Sequence, residues 1–326
     1  MFLCILVRIG SWLMRPTKKL DVIFVKPMDR LWIGNCPICG ENGFETSVTC
    51  KDYCVSSKRF DLLTCKNCGF TFTQGVPVES QMDKYYQSPG YISHTNTSRG
   101  ITNKLYHCIR AIMLRRKAGM VSKESHLKSG KLLDIGAGTG FFANTMIKKG
   151  WNVEATEKSA RARAFAQTRF GFTVKPEQAI NDYSNNQFDV ITMWHVMEHI
   201  QPLNQMWDTL YQLLQEKGLL IVACPNLLSF DARRYGEYWA AYDVPRHLWH
   251  FCPDTIRRIG AEHGFIMAKH YPMPFDAFYI SILSEKYRHK VFPFARGMFW
   301  GSIAWLNTLA KKDSSSSIVY IFRKKH

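Results

Sequence analysis

A short apolar strand, Lys131-Leu132-Leu133-Asp134-Ile135, runs straight into Gly136-Ala137-Gly138-Thr139-Gly140 and then into Phe141-Phe142-Ala143, which starts a helix. A buried strand feeding a glycine-rich turn and a helix is the opening unit of an open, doubly wound α/β sheet. A dinucleotide fingerprint, Gly-x-Gly-x-x-Gly, needs glycine at position 141, where phenylalanine stands, so pyrophosphate binding is disfavoured. The Gly-Lys-Ser/Thr ending of a P-loop is absent as well. What remains is Asp134-x-Gly136-x-Gly138-x-Gly140, which suits a cationic, phosphate-free nucleoside ligand. The glycines let the backbone approach closely, and a carboxylate pairs with an ammonium or orders a water that does so. The next strand, residues 152–156, ends at Glu157, 17 residues past the last glycine, where a carboxylate can accept hydrogen bonds from both ribose hydroxyls.

Over residues 130–322 the chain resembles the class I S-adenosylmethionine-dependent methyltransferases. The glycine segment carries the resemblance first. Residues 188–193, Phe-Asp-Val-Ile-Thr-Met, are similar to the fourth strand of that family, and residues 218–226 to the fifth with its exit. The run Trp194-His195-Val196-Met197-Glu198-His199-Ile200 resembles the matching segment of the ubiquinone-biosynthesis O-methyltransferases. The resemblance implies S-adenosyl-L-methionine as cofactor, with Asp134, Gly136, Gly138, Gly140 and Glu157 as its site, Trp194 beside it, and adenine near residues 181–183, where Asp182 stands. It also implies an α/β fold with a Rossmann-like seven-stranded sheet and helices on both faces. Helix-like residues 159–170, 203–216 and 253–263 alternate with the strands, as a parallel sheet requires. Residues 265–270 and 318–322 would form a final hairpin. Apolar helical stretches at 276–287 and 292–309 form an insertion over about residues 274–312 that could cover the active site.

Upstream, Cys36-Pro37-Ile38-Cys39-Gly40 and Cys65-Lys66-Asn67-Cys68-Gly69 are two knuckles 25 residues apart. Each Cys-x-x-Cys turn presents two sulfurs to one ion, and the glycine behind it lets the chain turn back. Cys36, Cys39, Cys65 and Cys68 thus predict a zinc ribbon whose Zn2+ is structural, since four protein sulfurs leave no open position. The other six of the ten cysteines read as bystanders in a reducing compartment. The ribbon and the aromatic linker behind it further resemble bacterial methyltransferases with an N-terminal zinc ribbon. The expected organisation is an N-terminal extension at 1–30, a ribbon at 31–78, a linker and bridging helix at 79–128, and the methyltransferase domain at 129–326.

Methyl transfer from a sulfonium is an in-line substitution, so the enzyme aligns the nucleophile and, for a hydroxyl, takes its proton. Residues leaving the carboxyl end of strand four face the ligand crevice, which makes His195 the general-base candidate; an ordinary imidazole suits that task near neutrality. The resemblance adds a divalent ion at this segment, with Glu198 and His199 joining His195. Against it, this chain has histidine where that group tends to have glutamate, and hydrogen bonds that orient the loop explain the same residues. Behind strand five, residues 238–251 gather five aromatics with Arg246, His247 and His250. Arg246 and Tyr242 are read as substrate contacts, and His247 or His250 as an alternative base.

Lysine and arginine total 43 against 26 acids, a formal charge of +17, which attracts nucleic acid, anionic lipid or an acidic substrate. Arg110, Arg115, Arg116 and Lys117 on the bridging helix read as a solvated face, or more sharply as a phosphate-contacting one. Residues 1–14 are mostly apolar but shorter than the roughly 20 residues of a spanning helix, and lack the basic start and cleavage site of a secretory signal. They read as sequence upstream of the folded part or as a weak interfacial anchor, and the protein as cytoplasmic, without stable membrane insertion but with peripheral membrane contact open. The function these residues predict is methyl transfer to a small acceptor, anionic or lipid-like, at oxygen. The rivals are an RNA methyltransferase gripping phosphates with its ribbon and a non-catalytic zinc-ribbon binding protein.

Overall fold

The computed structural model describes residues 23–26, 30–86, 101–289 and 291–325. Most of the expected N-terminal extension, including the apolar residues 1–14, and the aromatic linker from residue 87 onward lie outside them. The N-terminal part comprises β1 (Ile23–Lys26), β2 (Arg30–Ile33), β3 (Phe44–Lys51), β4 (Arg59–Cys65), β5 (Thr71–Thr73), β6 (Val76–Pro77), α1 (Glu79–Tyr86) and α2 (Ile101–Ser125). Beyond it run β7 (Lys131–Ile135), α3 (Phe141–Ile147), β8 (Asn152–Thr156), α4 (Ala160–Phe170), β9 (Phe188–Trp194), α5 (Leu203–Leu213) and β10 (Leu214–Pro225). The chain closes with α6 (Phe230–Tyr235), β11 (Trp249–His250), α7 (Pro253–Glu262), β12 (Phe265–Pro272), α8 (Asp276–Tyr287), α9 (Pro293–Ala310) and β13 (Ser317–Lys324).

The central sheet has the order β12-β13-β10-β9-β7-β8. Strands β8, β7, β9 and β10 are parallel, while β13 runs antiparallel to both β10 and β12. Alternate residues of each strand feed opposite layers. Leu132, Val190 and Ile221 pack with Ala118 and Val121 of α2 and Phe142 and Met146 of α3. Leu133, Ile191 and Val222 pack with Trp207 of α5 and Ile256 of α7.

Two expectations are corrected. Seven strands were anticipated, and the sheet has six among the described residues. At the β8 edge the seventh is reduced to one parallel bridge between Thr156 and Lys175, because Pro176 has no N–H to extend the ladder and precedes the 3-10 turn Glu177–Asp182. Helix α5 stops at Leu213 rather than Glu216, since Leu214 already pairs with Phe188.

The ribbon sheet, β11-β5-β4-β3, borrows its edge strand from the downstream part of the chain. Trp249 pairs with Phe72 and His250 with Thr71. Ribbon residues Ile38, Phe70 and Phe72 accordingly share one core with α5 and α7, and Asn204 of α5 donates to the Pro37 carbonyl in the first knuckle at 3.1 Å.

Candidate active site

All three loop glycines hold positive φ: 68° at Gly136, 55° at Gly138 and 77° at Gly140. Two of them are also demanded by packing. A Cβ on Gly136 would lie 2.3 Å from Val196, and one on Gly140 would lie 2.9 Å from Ala166 and from the Phe172 ring. Gly138 differs, because its missing Cβ faces open space, which is the side a ligand can approach. Its N–H donates to Glu157 Oε2 at 2.8 Å, and Ser159 N–H donates to Oε1 at 2.8 Å. Each carboxylate oxygen keeps a further lone pair for a ligand hydroxyl. Asp134 is buried and accepts from the Thr192 hydroxyl at 2.7 Å. Burial drives its carboxyl up to about 7, against the Thr192 hydrogen bond and the Lys117 charge.

His195 follows the end of β9 in a left-handed backbone conformation, φ 60°, with its N–H on the Ala223 carbonyl at 2.9 Å. A non-glycine residue held there costs about 1–2 kcal/mol and turns the ring out of the sheet end. Nε2 lies 3.2 Å from Asp276 Oδ2, and Nδ1 lies 3.5 Å from Glu198 Oε1. Burial opposes the charged ring, but Asp276 and then Glu198 outweigh it and hold the imidazole up at about 9. The ordinary value anticipated from sequence is corrected accordingly. Nearby, the Lys117 ammonium lies 4.3 Å from the centroid of the Trp194 ring, and Trp194 Nε1 is buried without a hydrogen-bond partner among the described residues.

Glu198 is fully buried and neither carboxylate oxygen has a hydrogen-bond partner among the described residues. Burial pushes its carboxyl up, yet His195, His247 and His199 outweigh that and bring it to about 2. One ligand atom from each of Glu198, His199 and His247 falls within 4.8 Å of the others. His199 places Nδ1 2.9 Å from the Arg246 carbonyl and His247 places Nδ1 2.8 Å from the Ala241 carbonyl, an arrangement that orients Nε2 as a ligand. The donor set suits a divalent ion, with His247 in the place expected for His195.

Residues 109–270 match the model of a methyltransferase domain. This segment is a class I methyltransferase domain. Ubiquinone biosynthesis O-methyltransferase of Rickettsia canadensis is 25% identical over 145 residues, covering 42% of this chain and 61% of the relative. The enzyme of that name from Caulobacter sp. is 28% identical over 140 residues, covering 39% and 56%. The chain thus spans somewhat more than half the length of the curated relatives it matches. A solved SAM-dependent methyltransferase from Archaeoglobus fulgidus superposes with a TM-score of 0.44 at 15% identity, over 65% of this chain and 94% of that one.

The methyltransferase domain gives several expected site residues other employment. Arg246 is buried, and its guanidinium forks onto both Asp243 carboxylate oxygens, donates to the Tyr85 carbonyl at 3.2 Å and lies 3.5 Å from Asp52 of the ribbon. It joins the ribbon to the domain, and the substrate contact read from sequence is corrected. Tyr242 is likewise buried, edge-on to Trp239 and His250, rather than presented to a substrate. His250 sits buried in β11, paired with Thr71 of the ribbon and with Nε2 2.9 Å from the Thr73 hydroxyl, and burial lowers its ring to about 3. Asp182 is exposed at the end of the 3-10 turn. The bridging-helix cations are not simply solvated: Arg110 covers Phe141, Arg116 faces Phe275 and Lys117 covers Trp194. Sequence reasoning missed Asp276, for which no spacing signal exists, and assigned Lys117 to the surface.

At the ribbon the four sulfurs converge. Cys36 Sγ is 3.4 Å from Cys68 Sγ and Cys39 Sγ is 3.5 Å from Cys65 Sγ, with all four within 4.8 Å. The knuckles repeat one geometry: Gly40 N–H returns to Cys36 O and Gly69 N–H to Cys65 O, both at 2.8 Å, with φ of 80° and 74°. A shared hydrogen bond raises the Cys36 thiol and lowers Cys68 to about 5. Four crowded sulfurs of this kind fit tetrahedral Zn2+.

Proposed function

We propose that this chain is an S-adenosylmethionine-dependent methyltransferase acting on oxygen of a small acceptor. The observation that carries the reading is the Gly138 N–H to Glu157 contact of 2.8 Å at the one loop glycine whose side faces open space. In this reading Glu157 holds ribose hydroxyls there, Asp134, held by the Thr192 hydroxyl, and Trp194 stand beside the cofactor, and Asp182 is assigned to its adenine side. When bound, S-adenosylmethionine supplies an electrophilic methyl group. Oxygen is favoured by the names of the relatives, both O-methyltransferases.

His195 is the base in this reading. The 3.2 Å contact of Nε2 with Asp276 is the firmer one, and the 3.5 Å separation of Nδ1 from Glu198 is too long for a good hydrogen bond. Nδ1 is therefore the nitrogen that takes the acceptor proton while Asp276 holds the opposite edge. Glu198, His199 and His247 would hold a divalent ion that orients an acceptor oxygen. The ribbon Zn2+ stays structural.

Methyl-labelled cofactor incubated with cell extract, fractionated into polar metabolites, lipids and RNA, tests the proposal. Label in a small-molecule or lipid fraction, lost in His195→Ala, is expected. Label confined to RNA would transfer the assignment to the RNA rival, and label in no fraction would remove the enzymatic reading.

A further inference from the structure

The α8–α9 hairpin is built inside out. Gly297, Gly301, Ala304 and Thr308 form the buried stripe of α9, and a Cβ on Gly297 would stand 2.4 Å from the Ile282 Cα, one on Gly301 2.8 Å from the Phe278 Cα. The helices thus meet at backbone contact through small residues, and the bulky apolar side chains point outward. Val291 is 72% exposed, Phe292 76% and Leu309 65%, with Phe294, Phe299 and Leu306 also more than half exposed. The three phenylalanines alone expose on the order of 400 Å², comparable to the largest apolar patch of a typical monomer.

The charges of the hairpin are sorted in the same way. The two acids of the helices turn inward, Asp276 onto His195 and Glu285, fully buried, against Arg296 Nε at 2.9 Å, while Asp313, exposed just past α9, is paired with His270 at 2.7 Å. Lys286, His289, Arg296, Lys311 and Lys312 are exposed around the apolar face. No helix among the described residues is long and apolar enough to cross a membrane.

We propose that the outer face of this hairpin docks on an anionic lipid surface. Aromatic and aliphatic side chains entering the headgroup boundary, with basic residues at both ends of the helix, are the two components of interfacial binding. A second copy of the chain fits less well, because an isologous contact would bring like-charged rims together. The same hairpin contributes Asp276, on its inner side, to His195. The inference stands whether or not the enzymatic reading does.

Co-sedimentation of the full chain with phosphatidylcholine vesicles, with and without phosphatidylglycerol, tests it. Binding is expected only with phosphatidylglycerol, weakening as salt rises. The triple variant Phe292→Ser/Phe294→Ser/Phe299→Ser should bind at least tenfold more weakly with an unchanged melting temperature, since all three side chains are exposed. Its residues 1–14 are intact, so vesicle binding as strong as that of the unaltered chain overturns the proposal. Absence of vesicle binding, together with a dimer that the triple variant dissociates, assigns the face to self-association and overturns it equally.

Discussion

His195 Nε2 lies 3.2 Å from Asp276 Oδ2, joining the end of β9 to the first turn of the hairpin. The contact fixes the pH behaviour of the site. With the ring held at about 9, the base form is the minority at pH 7. Turnover should climb about tenfold per pH unit and level off near pH 9. Asp276→Asn should move that limb down by about one unit or more, and a flat profile from pH 7 to 9 would falsify the assignment of His195. The stability sign follows. A raised folded pKa stabilises fully below the unfolded value of about 6.5, and the contribution fades as pH rises through 9. The melting-temperature loss in Asp276→Asn should therefore be largest at pH 6 and gone by pH 10.

Cofactor affinity should separate the loop residues. Glu157→Ala removes a charged acceptor from the site and strands the Gly138 and Ser159 N–H groups, so calorimetry should show S-adenosylmethionine binding weakened roughly ten- to a hundredfold. Gly138→Ala should weaken binding while costing only about 1–2 kcal/mol for its positive φ. Gly140→Ala, which meets Ala166 and Phe172 at 2.9 Å, should lower the melting temperature further. Equal effects at both glycines would contradict the open side at Gly138.

Metal content should divide between two places. One zinc per chain is expected by elemental analysis, lost in Cys36→Ser. Removing it should also reduce methyl transfer, because the Thr73 hydroxyl donates to the His247 carbonyl at 2.8 Å and so ties the ribbon to the site. His247→Ala should retain the zinc and lose a second, titratable divalent ion; retention of that ion would exclude the Glu198–His199–His247 set.

Arg246→Met should behave as a packing lesion. Breaking a buried pair leaves Asp243 and Asp52 uncompensated, at a cost of about 3–5 kcal/mol. Denaturant unfolding should show that loss. A raised acceptor KM with unaltered stability would instead restore Arg246 as a substrate contact.

Where chemistry depends on local spacing, the sequence was legible. Asp134, the alternating glycines and Glu157 lie within two consecutive strand-turn units, and each cysteine pair is one turn, so pattern alone located the loop and the knuckles. The seventh strand failed because Pro176 acts on a sheet edge whose pairing is non-local. Arg246, Tyr242 and His250 looked like a polar, aromatic loop with free side chains. Their true partners, Asp52, Trp239 and Thr73, include two from the ribbon, and a charge is given to a substrate or to a fold only by what surrounds it.

The sequence by itself determined the doubly wound class, the nucleoside-type glycine turn and the four-sulfur centre, since these rest on periodicity and on backbone conformations within a few residues. Tertiary structure alone decided that Asp276 raises His195, that His247 comes close to Glu198 and His199, and that the hairpin turns its small residues inward. Those outcomes depend on distances between segments far apart in the chain, and electrostatic and packing energies are set by distance and burial rather than by order along the backbone.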